Sequence, residues 1–104
     1  MDDIKQCLQE AIKSIEDTTG SFYQNRISEG YKKLEYTLGA LDDLMYKIAA
    51  FRQQGNDIRI DDNRMNQILM EAMKALETKD VVLLSDILEY EVKEMLVQCR
   101  EGLL

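Results

Sequence analysis

The sequence predicts an all-α protein, a four-helix up-down-up-down bundle with a long second helix. Three observations carry that prediction. The 104-residue chain contains no proline, the residue that most strongly interrupts helices. Its apolar residues recur at spacings of three and four along most of its length. Charged residues make up 32% against 45% hydrophobic, the balance of a folded helical protein rather than of a disordered chain. At this length one domain, residues 1–104, is expected, large enough to bury roughly two thirds of the surface of its unfolded chain.

A first helix is expected from Asp2 to about Asp17, with Ile4, Leu8, Ala11, Ile12 and Ile15 on one face. Acids at its start suit the macrodipole, and Thr18-Thr19-Gly20-Ser21 is expected to end it. A second helix is expected from about Phe22 to Gln54, where Ile27, Tyr31, Leu34, Leu38, Leu41, Met45 and Ile48 alternate spacings of four and three. Glu29 with Lys33 and Asp43 with Lys47 add i, i+4 pairs outside that stripe. Gly30 and Gly39 mark either a bend or a close helix contact. At 1.5 Å per residue this helix would reach ~50 Å, so that either part of it overhangs the bundle or it breaks near Gly30.

Gln54-Gly55-Asn56-Asp57 stops the second helix, and Ile58-Arg59-Ile60 is an extended connection whose isoleucines tuck under the bundle. Asp61 is the expected N-cap of a third helix running to about Glu77, with Met65, Ile68, Leu69, Ala72 and Leu76 inward. Met70 and Met73 extend its apolar surface beyond the stripe. Thr78 and Lys79 make a tight joint, and Asp80 caps the fourth helix. Short connections favour antiparallel neighbours, so Cys7 and Cys99 are expected at the same end of the bundle.

Spaced at 100° per residue, the fourth helix carries two apolar arcs. Val81, Leu84, Leu88, Val92, Met95 and Cys99 form one, with Leu96 at its edge, and Leu83, Ile87, Tyr90 and Val97 form a second, nearly opposite. Such a helix needs two partners. Either the chain itself covers the second arc, with its first helix or with the connection from Ile58 to Ile60, or that arc is a surface for a second copy or another protein. Residues 80–101 carry a local charge of −4, which would select a basic amphipathic partner. Tyr36 and Tyr46 fall off the stripe of the second helix and are further interface candidates, as exposed amphipathic aromatics often anchor contacts.

Chemistry is mostly excluded. With no histidine there is no imidazole base, no Ser-His-Asp or Cys-His arrangement and no Glu-x-x-His di-iron motif. The ExxE spacing of Glu91 and Glu94 lacks facing histidines, and residues 57–62 have an arginine and no glycine where an EF-hand loop needs a ligand and a turn. No phosphate-binding glycine motif occurs. Cys7 and Cys99 form no CxxC and read as small buried thiols. The net charge of −7 opposes capture by nucleic acid or anionic lipid. No apolar run approaches the ~20 residues of a membrane span, and Met-Asp-Asp-Ile-Lys is unlike a signal peptide, so a cytoplasmic protein without cofactors or metal is expected.

The run Glu77-Thr-Lys-Asp80-Val-Val-Leu-Leu-Ser-Asp86-Ile-Leu-Glu-Tyr-Glu91, after a methionine- and leucine-rich helix, resembles the C-terminal signature of an uncharacterised family of small all-helical proteins of Gram-positive bacteria. In helix order and in the Lys79-Asp80 joint the chain is also similar, more distantly, to flagellar export chaperones, cytoplasmic bundles that wrap a helical client. It lacks the aromatic-rich N-terminal segment of those chaperones. The expected function is that of a non-enzymatic, protein-binding bundle working as an export chaperone or regulatory adaptor through its second and fourth helices. The alternative is a self-associating homodimer with no client groove.

Overall fold

Helical segments follow one another along the described residues, in a computed structural model that describes the backbone of residues 2–103 and the side chains of residues 3–103. They are α1 (Asp2–Tyr23), α2 (Ile27–Gln53), α3 (Asp62–Glu77), α4 (Val81–Ile87), a π-helical turn (Leu88–Val92) and α5 (Lys93–Gly102). The last three run on without a break and form one fourth rod, residues 81–102. The fold is therefore all-α, with four helical rods and no strand among the described residues.

The helix ends obey local chemistry. Asp61 and Asp80 cap α3 and α4 as the sequence predicts, each carboxylate accepting from the backbone N–H three residues on, at 3.0 and 3.1 Å. α1, α2 and α3 all end in a Schellman motif, with Asn25, Gly55 and Lys79 at positive φ. In the first, Arg26 N–H donates to Ser21 O and Asn25 N–H to Phe22 O; Asn56 and Gly55, and Asp80 and Lys79, repeat the pattern.

α1 does not stop at Thr18 as expected. It runs six residues further because the hydroxyls that would compete with its backbone are engaged sideways. Thr18 bonds Thr37 Oγ1 at 2.8 Å, and Thr19 donates to the Glu89 carboxylate at 2.9 Å, with its own-helix acceptor Glu16 O further off at 3.3 Å. The αL residue that ends the helix is Asn25 rather than Gly20. The second helix is shorter than expected accordingly, although it remains the longest rod. With 27 residues α2 is about 40 Å long, and the molecule measures 43 × 23 × 19 Å.

Antiparallel packing is written in the contacts. Cys7, Ser14 and Ser21 on α1 meet Lys47, Thr37 and Lys33 on α2. Tyr23, Thr19 and Glu16 meet Asp86, Glu89 and Lys93 on the fourth rod, whose Glu91 pairs with Arg64 of α3 at 3.1 Å. The rods therefore run up, down, up, down. Cys7 lies beside Lys47 and Cys99 feels the charge of Arg52, so both thiols sit towards the end of the bundle where α2 finishes. Gly30 is a close contact and not a bend. A Cβ there would lie 2.8 Å from Phe22 Cζ and nearer still to Cδ1 and Cε1, and Phe22 is fixed edge-on against Tyr31 at 5.4 Å. Of the expected surface pairs, Asp43–Lys47 forms at 3.3 Å. Lys33 turns instead to Ser21 Oγ at 2.9 Å, and Glu29 to Arg26 at 3.7 Å.

The π turn corrects the two-faced reading of the fourth helix. Lys93 N–H donates to Leu88 O, five residues back, so this turn takes in about one residue more than an α turn. Everything beyond it is set back by roughly 100° around the rod relative to an unbroken α-helix. The setback aligns Leu96 and Cys99 with Leu84, Ile87 and Leu88, and all of them, with Val92, are buried. The rod presents one core face that changes register midway. Ile87, expected on the second arc, is only 5% exposed and belongs to the core. The turn is stitched to α1 by Glu89, which accepts from Thr19 and from Lys93, while Lys93 also reaches Glu16 at 3.6 Å. Those carboxylates, Glu89 first, hold the Lys93 ammonium above the usual lysine range against the opposing effect of its burial.

Candidate protein-binding surface

The rods do not close into a ring. α1 packs along α2 on one side and along the fourth rod on the other, and α3 packs against the fourth rod, whereas α2 and α3 make no comparable backbone approach. Connection lengths help to explain this. Three residues (24–26 and 78–80) join the two tight hairpins, but eight (54–61) join α2 to α3. That longer link is pinned at one end of the bundle. Ile58 is buried, and Arg52 donates to Ile58 O at 2.8 Å, to Ile60 O at 3.0 Å and to Asp62 at 2.7 Å. Away from this clamp the two backbones lie further apart than those of the other neighbouring rods, over buried Leu41 and Ala72.

The open seam is apolar. Leu38, Leu41 and Met45 of α2 face Leu69, Ala72 and Met73 of α3 across a hollow of about 330 Å³ whose one charged lining residue is Asp42. Leu69 and Met73 also line a second hollow, with Asn66, Met70, Lys74 and Glu77. Met70 and Met73 are 65% and 45% exposed. Spacings of three and four put Leu38 and Met45 on one α2 edge, beside the buried line of Leu34, Leu41, Leu44 and Ile48. The apolar stripe of α2 is thus split between buried Leu34, Leu41 and Ile48 and half-buried Leu38 and Met45. Methionine at such an edge is unbranched and polarizable, and it adapts to partners of different shape.

The six residues singled out from the sequence do not form one surface. Tyr36 and Tyr46 are 69% and 76% exposed. Tyr36 faces the α1 side, above a hollow lined by Glu10, Lys13, Ser14, Asp17 and Lys33, and Tyr46 follows Met45 on the outer flank of the seam. Leu83 and Tyr90 are 47% and 70% exposed on the fourth rod. The Tyr23 hydroxyl donates to Asp86 of that rod at 2.7 Å. Burial, then the Asp86 carboxylate, pushes the Tyr23 phenol up. Val97 is half-buried against the core, and Ile87 is inside it. The seam residues on α3 were missed as a site, although Met70 and Met73 beyond the stripe were their signal.

Other groups offer little chemistry. Cys99 is buried, and burial pushes its thiol up against the opposing charge of Arg52. Lys47 donates to Cys7 Sγ at 3.4 Å and pairs with Asp43, and these contacts, Cys7 first, raise its ammonium. Among the described residues no three His, Cys, Asp or Glu side chains gather as a metal ion would need, and no helix is long and apolar enough to cross a membrane.

The model of a family described as a domain of unknown function (DUF8042) matches residues 1–102. No curated protein and no solved structure matches the chain.

Proposed function

The chain belongs to the DUF8042 family, and we propose that it works without catalysis, by binding another protein in the seam between α2 and α3. The observation that carries this reading is the seam itself: an apolar hollow between two helix edges that approach less closely than the other neighbouring rods, over buried Leu41 and Ala72. A third helix laid between them would complete the ring, the usual way a groove of this kind is filled. The reading keeps the protein-binding bundle of the sequence expectation and moves its surface from α2 and the fourth rod to α2 and α3. An adaptor or export-chaperone role in the cytoplasm fits such a groove, in keeping with the likeness of the helix order and the Lys79-Asp80 joint to flagellar export chaperones.

A photoreactive residue placed at Met73, in cells that make the protein, tests it. The expected result is a covalent adduct to a different protein at Met73 and none at Gln9, which is exposed on α1. An adduct of twice the chain's own mass, or none at all, would overturn the reading. The homodimer is the second reading, favoured by exposed Val82, Leu83 and Tyr90 on the fourth rod. Burial of Ile87 removes the middle of that seam, so the dimer has less apolar surface to work with. Sedimentation equilibrium separates the two, with a monomer expected.

A further inference from the structure

We infer that the occupant of the α2/α3 seam is an amphipathic helix of another protein carrying a lysine or arginine beside its apolar stripe, and that Asp42 receives that cation. This rests on the seam being a binding groove and adds the chemistry of what it binds.

Shape comes first. From Asn66 to Glu77 the two hollows follow α3 over twelve residues, about 17 Å or three helical turns. Ala72 forms the floor and is 2% exposed, and its small side chain lets a third backbone approach between two ridges of leucine and methionine. An extended peptide would leave its backbone N–H and C=O groups unpaired against this apolar lining, whereas a helix satisfies them internally.

Charge then selects the helix. Asp42 lines the hollow between Leu38 and Met45, and it makes no ion pair or side-chain hydrogen bond among the described residues. Its neighbour Asp43 is taken by Lys47 at 3.3 Å. In the second hollow Lys74 and Glu77 contribute one charge of each sign and form no ion pair with each other among the described residues, so Asp42 is the one charge lining the first hollow. The protein's net charge of −7 adds a field of the same sign. A second copy of this chain would bring another −7 and another Asp42 to the contact, which disfavours it as the occupant. A basic helix gains from both terms.

The test uses the full chain and a fluorescein-labelled synthetic peptide of roughly 18 residues, long enough to be partly helical. It carries leucines at i, i+3, i+4 and i+7 and one lysine flanking that stripe. A twin has glutamate at that single position. Anisotropy titrations should show the lysine peptide binding roughly three- to tenfold more tightly than its twin, with the gap shrinking as salt rises. Asp42→Asn should close most of the gap with no change in the circular dichroism melt, because Asp42 is exposed. Met73→Lys should weaken both peptides. Equal binding of the twins, or a gap untouched by Asp42→Asn, overturns the charge selection and leaves the groove standing. Binding of neither peptide, or binding indifferent to Met73→Lys, overturns the groove as well.

Discussion

Two glycines in the same helix do opposite things. Alanine is favoured over glycine in a helix interior by about 1 kcal/mol, and at Gly39 nothing lies within 4 Å of an added Cβ. Gly39→Ala should therefore stabilise the protein by about 0.5–1 kcal/mol. At Gly30 the same methyl would meet the buried ring of Phe22, itself held edge-on by Tyr31. Overpacking of this kind costs roughly 1–3 kcal/mol and outweighs the propensity gain. Gly30→Ala should lower the urea midpoint and Gly39→Ala should raise it. The sequence flagged both positions, but only the position of Phe22 separates them.

At the scale of elements, the π turn is the feature that the apolar pattern disguised. Uniform spacing of 100° per residue makes Ile87 part of an opposite arc, because a sequence carries no local mark of an i to i+5 hydrogen bond. The turn holds one residue more than an α-helix would need, so removing one should restore an unbroken rod with the same core register. Deleting exposed Tyr90 should leave a cooperatively folding protein, within about 2 kcal/mol of the parent. Deleting Glu10 from α1, which has no such surplus, should rotate every later α1 side chain by about 100° and abolish cooperative unfolding. Far-ultraviolet circular dichroism against urea checks both. By contrast, the caps at Asp61 and Asp80 and the ends of α3 were legible, since a carboxylate three residues before a free N–H is a purely local signal. Thr18 and Thr19 misled for the converse reason: their hydroxyls are committed to Thr37 and Glu89, residues distant in the chain.

At the scale of the whole molecule, stability responds to alkaline pH. The Cys99 thiol, the Tyr23 phenol and the Lys93 and Lys47 ammonium groups are all pushed up from ordinary values of 9.0, 10.0 and 10.5. In each case the folded state holds a proton that the unfolded chain gives up first. Their combined contribution is fully present below the ordinary values and is lost as pH rises through and beyond them. Stability should therefore fall progressively above about pH 9. Lys93→Gln should flatten the part of that fall above about pH 10.5, because it removes the group held by Glu89 and Glu16. Urea melts from pH 7 to pH 11 would show this, and a flat profile would contradict it.

The sequence by itself determined the fold class, the order of the rods, the two carboxylate caps and most of the core, because proline content, apolar spacing and capping act over a few residues. It also placed Met70 and Met73 outside the core stripe of α3. Tertiary structure alone decided that Ile87 turns inward, that Tyr36 and Tyr90 lie on separate surfaces, and that the α2 and α3 backbones lie further apart than those of the other neighbouring rods. Each of these depends on where one rod sits against another. Nothing in the spacing of Leu38 or Met45 distinguishes a side chain covered by a neighbouring helix from one at the edge of an open seam. That distinction arises only when α1 takes the central position between α2 and the fourth rod, and the eight-residue link leaves α2 and α3 pinned together at one end.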